Sequence, residues 1–166
     1  PELTGYEGGP PSLSGNSLAD PVAGFTGSLA LLAARHDRDR TGKGQHIDMA
    51  LLDSLITALD NLGERYTVGG EILMRKGNIS FAGSSSGVYP TTDGHVAIAA
   101  GTSNLVWRRF CHIIGQPELA DDPKFANTAA RRQHQAETAA IIQGWTSQRS
   151  KAEVVSTLAE GGVPAA

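Results

Sequence analysis

A single cysteine, Cys111, among 166 residues rules out a disulfide within the chain and fits a reducing compartment, so a cytoplasmic protein is expected. Its neighbours Trp107, Phe110, Ile113 and Ile114 mark it as a core residue and not as a nucleophile. A basic excess is missing too, since 14 Lys and Arg stand against 17 Asp and Glu for a net charge of −3. That removes the electrostatic footprint of a nucleic-acid binder, and no polybasic stretch is present to hold a membrane surface. No apolar run reaches the length of a bilayer span, and no signal-peptide pattern is present. The histidines His36, His46, His95, His112 and His134 lack the spacing with cysteine or carboxylate that metal ligands need, so no metal is expected. An initiator methionine is lacking as well, and the last residues, Gly161-Gly162-Val163-Pro164-Ala165-Ala166, carry a loop signal. The expectation is an internal piece of a longer protein.

What the chain does have is an aspartate at a telling junction. Asp20 follows an extended, turn-rich segment, Pro10-Pro11-Ser12-Leu13-Ser14-Gly15-Asn16-Ser17-Leu18-Ala19, and precedes a long apolar helix that opens Pro21-Val22-Ala23-Gly24-Phe25-Thr26-Gly27. Asp20-Pro21 reads as a helix N-cap with proline at the first helical position. The early glycines let another backbone or a ligand approach closely. A carboxylate there is reachable, and a helix start stabilises negative charge.

Further along, the charged turn at 37–44 leads into a short expected strand, Gln45-His46-Ile47-Asp48-Met49. Leu51, Leu52, Leu55, Ile56, Leu59 and Leu62 then repeat at the three-and-four spacing of a half-buried helix, ended by Gly63 or by Gly69-Gly70. Helix, turn, strand, helix is α/β grammar. From 71 to 86 periodicity disappears, and the Gly/Ser-rich stretch there reads as a linker or loop. Beyond it Val88-Tyr89 and His95-Val96-Ala97-Ile98-Ala99 flank Thr91-Thr92-Asp93-Gly94 as a hairpin. Helices are expected around 105–114, 128–145 and 151–160, the last introduced by a capping box of Ser150 and Glu153. The organisation expected is residues 1–70 as part of a large domain, 71–86 as a linker, 87–161 as a small α+β domain and 162–166 as the start of a return linker.

Several motif look-alikes fail on detail. Asp37-x-Asp39-x-Thr41-Gly42, with Asp48 at the twelfth position, resembles a calcium loop, but Gly44 replaces the hydrophobic eighth residue and Arg38, Arg40 and Lys43 neutralise the cage. Gly42-Lys43 lacks the other glycine and the hydroxyl residue of a phosphate loop. Gly83-Ser84-Ser85-Ser86-Gly87 matches a nucleophile elbow in letters, yet an elbow joins a strand to a helix and this stretch precedes a hairpin. Asp121-Asp122-Pro123 is a loop before proline and not a catalytic pair.

An ordered set of segments carries more information than any of these. Leu18-Ala19-Asp20-Pro21-Val22-Ala23-Gly24, Ala33-Ala34-Arg35, the run from Thr41-Gly42-Lys43-Gly44-Gln45-His46 to Asp53, Arg75-x-Gly77-Asn78, Tyr89-Pro90-Thr91-Thr92-Asp93-Gly94, Trp107, Gly115-Gln116-Pro117-Glu118-Leu119, Asp122-Pro123-Lys124-Phe125, Arg131 and Gly162-Val163-Pro164 together resemble the family III CoA-transferases of the CaiB/BaiF type. The resemblance implies a Rossmann-like large domain of α/β class interrupted by a small α+β domain, and an interlocked homodimer. It also implies that Asp20 is the catalytic carboxylate, that an acyl-CoA and a carboxylic acid acceptor are the partners, and that coenzyme A is a substrate with no separate cofactor. Gly83, Ser84, Ser85, Ser86 and Gly87 fall where these enzymes carry a loop that shields the intermediate. Ser80-Phe81 and Ser85-Ser86 depart from the His-Pro and Pro-Tyr pairs of many relatives.

The alternative function within the resemblance is α-methylacyl-CoA racemase, in which Asp20 would move a proton at the carbon next to the thioester. The residues after Asp20 look more like those of the transferases. From a different class, a non-catalytic binding or assembly module would explain the same helices without chemistry.

Overall fold

The computed structural model describes residues 3–59, 61–81 and 85–166. Helix and strand are mixed, and the chain divides into two units, Pro1–Arg75 and Lys76–Ala166. No helix among the described residues is long and apolar enough to cross a membrane.

The first unit is built on α1, Ala19–Thr41. Its start differs from the sequence expectation. Leu18 already has helical dihedrals and its carbonyl accepts from the Val22 N–H at 3.3 Å, so Leu18 is the N-cap and Asp20 lies within the first turn without capping anything. Pro21 is still among the first residues, whose N–H groups have no partner in any helix, so its missing donor costs nothing there. At the other end Arg38, Asp39 and Arg40 are helical, and Gly42 closes α1 in the left-handed region at φ 71°, its N–H donating to the Arg38 carbonyl at 2.8 Å. The first five residues of the calcium-loop look-alike, Asp37 to Thr41, are therefore the last of α1, so its first three candidate ligands stand on a helix and not in a loop.

Residues 45–49 form no strand, because no neighbouring segment among the described residues pairs with them. Met49 instead packs against α1, where a Cβ on Gly27 would stand 3.0 Å from its sulfur. The helix expected through Leu62 is broken in two, α2 at Leu51–Thr57 and α3 at Leu62–Thr67. Between them the Ala58, Leu59 and Leu62 N–H groups bond to the third residue back, which tightens the turn and ends the four-residue ladder. α2 packs on α1. Arg75 reaches back within this unit, donating to the Gly9 carbonyl at 3.1 Å.

The second unit closes on its own core. Strands β1, Ser86–Thr91, and β2, Gly94–Ala99, form an antiparallel hairpin in which Thr91 faces Gly94 and Tyr89 faces Val96. The two-residue turn that the sequence announces is present. Alternation places Tyr89, Val96 and Ile98 inward. Two short flanking pairings widen the sheet: Ile79 bridges Gly87, and Ala165 bridges Ile98. The last residues, read from the sequence as loop, thus lie along β2, with the Ala97 N–H donating to Ala166 and the Ala99 N–H to Pro164.

Four α-helices and a short 3-10 helix, Pro117–Ala120, accompany the hairpin. α4, Asn104–Ile113, presents Trp107, Phe110 and Cys111 at spacings of three and four, which is one face of a helix. Trp107 stacks on Phe110 with centroids 5.6 Å apart, and Trp145 meets Phe110 edge-on at 6.1 Å. The single helix expected at 128–145 is instead α5, Thr128–Gln133, and α6, Gln135–Thr146, separated by His134 at φ −106° and ψ 37°. α7, Lys151–Glu160, adds Val154 and Leu158 to the core. Its cap is half of the expected box, because Ser150 Oγ accepts from the Glu153 N–H at 3.3 Å while Glu153 pairs with Arg149. Cys111 is fully buried as expected, and burial pushes its thiol up to about 12.

Candidate active site

Asp20 lines a cavity of about 800 Å³ in the first unit. Besides Leu3 and Thr4, three pieces of chain make its walls. The loop from Pro11 to Leu18 contributes Ser12, Ser14, Asn16 and Ser17, the first turn of α1 contributes Ala19 and Asp20, and Leu55 and Leu59 come from α2 and the turn after it. The polar wall has a local cause. Ser14 Oγ donates to the Asn16 carbonyl at 2.9 Å and the Leu18 N–H donates to the same oxygen at 3.1 Å, a turn that aims the chain into α1. The apolar wall follows from the helical spacing of Leu55 and Leu59, four residues apart.

Asp20 is solvent-exposed. Its position in the first turn places it beside backbone N–H groups that α1 cannot satisfy internally, where negative charge is favoured. Gly24, one turn on, has open space where a Cβ would be, so the approach along that face of α1 is unobstructed. A carboxylate at a helix start, open on one side and walled by hydroxyls and leucines, can meet an electrophile without first breaking a structural bond. Among the described residues no group of histidine, cysteine, aspartate and glutamate is arranged to hold a metal.

The other sequence-predicted site residues belong to the second unit. Gly83 and Ser84 lie outside the described residues. Ser85 is 1% exposed, its carbonyl accepting from the Tyr89 hydroxyl at 3.1 Å and its Oγ buried without a hydrogen-bond partner. Ser86 and Gly87 begin β1 and line a separate, open cavity of about 550 Å³ together with Ile79, Val88, Ala97 and Ala165. The sequence reading missed Ser12, Ser14, Asn16, Leu55 and Leu59 as companions of Asp20. The signal for the first three was there, a run of small polar residues directly before the helix, but it reads as a turn until the cavity behind it is seen.

Comparison with known proteins gives the family. The model of the CoA-transferase family III matches residues 1–166. Succinyl-CoA–D-citramalate CoA-transferase of Chloroflexus aurantiacus is 34% identical over 163 residues, which are 98% of this chain and 40% of the relative. Succinate–glutarate CoA-transferase of Agrobacterium fabrum is 36% identical over 163 residues with the same shares. The chain thus spans about two fifths of the length of these relatives. Among solved structures, a CaiB/BaiF family protein of Brucella suis superposes with a TM-score of 0.67 at 34% identity, covering 99% of this chain and 43% of that one. An aspartate-to-alanine mutant of Rv3272 from Mycobacterium tuberculosis gives 0.80 at 24% identity, covering 99% and 41%, a likeness of fold. With the family model matched from end to end, the chain belongs to the family III CoA-transferases.

Proposed function

We propose that, within a protein of its relatives' length, this chain carries the catalytic carboxylate of a transferase that moves CoA from an acyl-CoA thioester to a carboxylic acid. The observation that carries the reading is Asp20 at the mouth of α1, exposed and facing a cavity of about 800 Å³. A carboxylate is a modest nucleophile, but a thioester is a reactive acyl donor. An Asp20 oxygen attacks the thioester carbonyl, and the C–S bond breaks to give a mixed anhydride and CoA thiolate. The thiolate attacks the aspartyl carbonyl of the anhydride, expelling the donor acid as its carboxylate and leaving Asp20 as an aspartyl-CoA thioester. The acceptor carboxylate then attacks that thioester, and the thiolate returns to the acceptor's acyl carbon, restoring Asp20. Every nucleophile and leaving group is already an anion, so the cycle takes up and releases no proton and needs no dedicated base. What it does need is positive potential where charge collects, which the N-terminal turn of α1 supplies.

In this reading residues 1–70 are part of the large domain and 87–161 the small one, coenzyme A is the only group required beyond the two acids, and the working form is a cytoplasmic interlocked homodimer. In the described part of the Gly/Ser-rich stretch, Ser86 and Gly87, which line the open cavity beside β1, contact substrate, while buried Ser85 anchors them. The names of the relatives make dicarboxylates the first substrates to try, with succinyl-CoA as donor.

The test uses the full-length protein. Incubation with succinyl-CoA, trapping with hydroxylamine or borohydride and peptide mass spectrometry are expected to place the adduct on Asp20. Asp20→Asn is expected to lower transfer by at least about 10³-fold, since the amide keeps the shape and removes the nucleophile. An adduct on another carboxylate, or full activity in that variant, overturns the assignment; exchange of the α-proton with no adduct points to the racemase.

A further inference from the structure

The core of the second unit holds a guanidinium with no carboxylate among the described residues against it. Arg131, on α5, is fully buried. Its Nη1 donates to the Phe125 carbonyl at 2.7 Å, and its Nη2 reaches the Asn104 Oδ1 at 3.1 Å, the Thr128 Oγ1 at 3.2 Å and the Gly101 carbonyl at 3.4 Å. Trp107 lies under the fork, 5.6 Å from ring centroid to guanidinium carbon. The Nε has no partner. Burial alone opposes this charge and depresses the pKa of the group. An apolar residue of similar volume would fill the same space without that penalty. What an apolar residue cannot do is tie two separated stretches of chain, 101–104 and 125–131, to one rigid plane.

One of those stretches matters beyond the core. Gly101, buried in the turn between β2 and α4, is so close to Ser85 that a Cβ on it would stand 2.5 Å from the Ser85 nitrogen and 3.0 Å from its Oγ. Ser85 is thus gripped on two sides, by Gly101 at its nitrogen and by the Tyr89 hydroxyl at its carbonyl. The next two residues, Ser86 and Gly87, line the open apolar cavity on the sheet. We infer that Arg131 is a positioning residue which, by holding Gly101, fixes Ser85 and so sets where Ser86 and Gly87 stand. The inference rests on the reading of these residues as a substrate-contacting segment. The charge is retained in the core for its fork geometry.

The experiment compares Arg131→Lys, Arg131→Met and Gly101→Ala in the full-length protein. Amide exchange of a peptide covering 85–88 is measured against one from α7 as internal reference, and kcat and KM are measured with succinyl-CoA. Arg131→Met and Gly101→Ala are expected to speed exchange at 85–88 about tenfold with α7 unchanged. They are also expected to lower kcat about tenfold at nearly constant KM, with Arg131→Lys in between, since it keeps the charge and loses the fork. Unchanged exchange at 85–88, or an equal rise in α7, overturns the positioning role and leaves the Asp20 chemistry untouched. Faster exchange at 85–88 with normal kinetics overturns instead the assignment of the segment to substrate. Arg131→Lys, which keeps the charge and loses the fork, decides if Arg131→Met fails to fold; Gly101→Ala tests only the link from Gly101 to Ser85.

Discussion

The two units bury their apolar side chains to opposite degrees. In the second, Trp107, Phe110, Ile142, Val154 and Leu158 are 0–1% exposed, while in the first Phe25, Leu29, Leu31 and Leu32 on α1 stand at 64–72% and no residue of α1 is buried. The same contrast runs through the helix ends. Ser103, Asn127 and Ser150 cap α4, α5 and α7 with their side chains, whereas α1, α2 and α3 have no side-chain cap. The unit that contains Asp20 is therefore the one with the least internal support, and in the second unit no carboxylate side chain among the described residues lines the open cavity beside β1. α1 is apolar on several faces at once, a pattern suited to burial and not to a solvated surface. With that exposure the 166-residue chain by itself is expected to self-associate.

The largest effect that tests this contrast is amide exchange along the isolated chain. Amides of α4, α6 and α7 are expected to be protected to the limit of global unfolding of their unit, and those of α1 to exchange orders of magnitude faster. Equal protection of α1 and α4 breaks the comparison. Next in size are side-chain truncations. Trp107→Ala removes a ring that touches Phe110, Phe125 and the Arg131 fork, and is expected to cost about 3–5 kcal/mol, read as faster labelling of the otherwise unreactive Cys111. Leu32→Ala, at 64% exposure, is expected to cost about 0.5 kcal/mol or less in the isolated chain. Smaller again is the loss of a cap: Ser150→Ala is expected to cost about 1 kcal/mol by denaturant titration, while Asp20→Asn costs less because Asp20 caps nothing.

How much of this was legible in the chain follows from how local each cause is. The hairpin, the start of α7 and the face of α4 rest on residues within four positions of one another, and the sequence announces them. The strand expected at 45–49 needs a partner strand, which no window of sequence contains. The helix through Leu62 has the right apolar spacing and is nevertheless broken, because the turn at Ala58 and Leu59 is settled by tight three-residue bonding that periodicity does not record. Asp20 stands out in the sequence for its setting, a carboxylate between a turn and a helix, although the N-cap is two residues earlier, at Leu18. Its cavity was invisible, since Leu55 and Leu59 reach it only through the packing of α2 on α1. Arg131 gives no sign of burial at all in a segment of alanines, arginines and glutamines.

The smallest expected effect is on acid stability, and it separates the units by charge. The Lys151 backbone N–H, donating to Asp93 Oδ1 at 2.8 Å, holds that carboxyl below its ordinary value, with the Thr91 hydroxyl assisting. Arg108 does the same for Asp121, and Lys124 followed by His134 for Glu137. All three lie in the second unit. A carboxyl whose pKa is lower folded than unfolded contributes stability that is fully present above its unfolded value and is lost as pH falls through its folded value, because the unfolded chain takes up the proton first. The second unit is therefore expected to lose stability progressively below about pH 4 while keeping it from there to neutrality. All three side chains are solvated, so each contribution is small, and Asp93 is the one to change, since its partner is a fixed helix N–H and not a flexible ion. Asp93→Asn keeps an acceptor for Lys151 and removes the titration, so its denaturation midpoint should vary less between pH 6 and pH 3 than that of the parent chain. An equal slope in the two proteins would show that the Asp93 bond to α7 does not survive in solution.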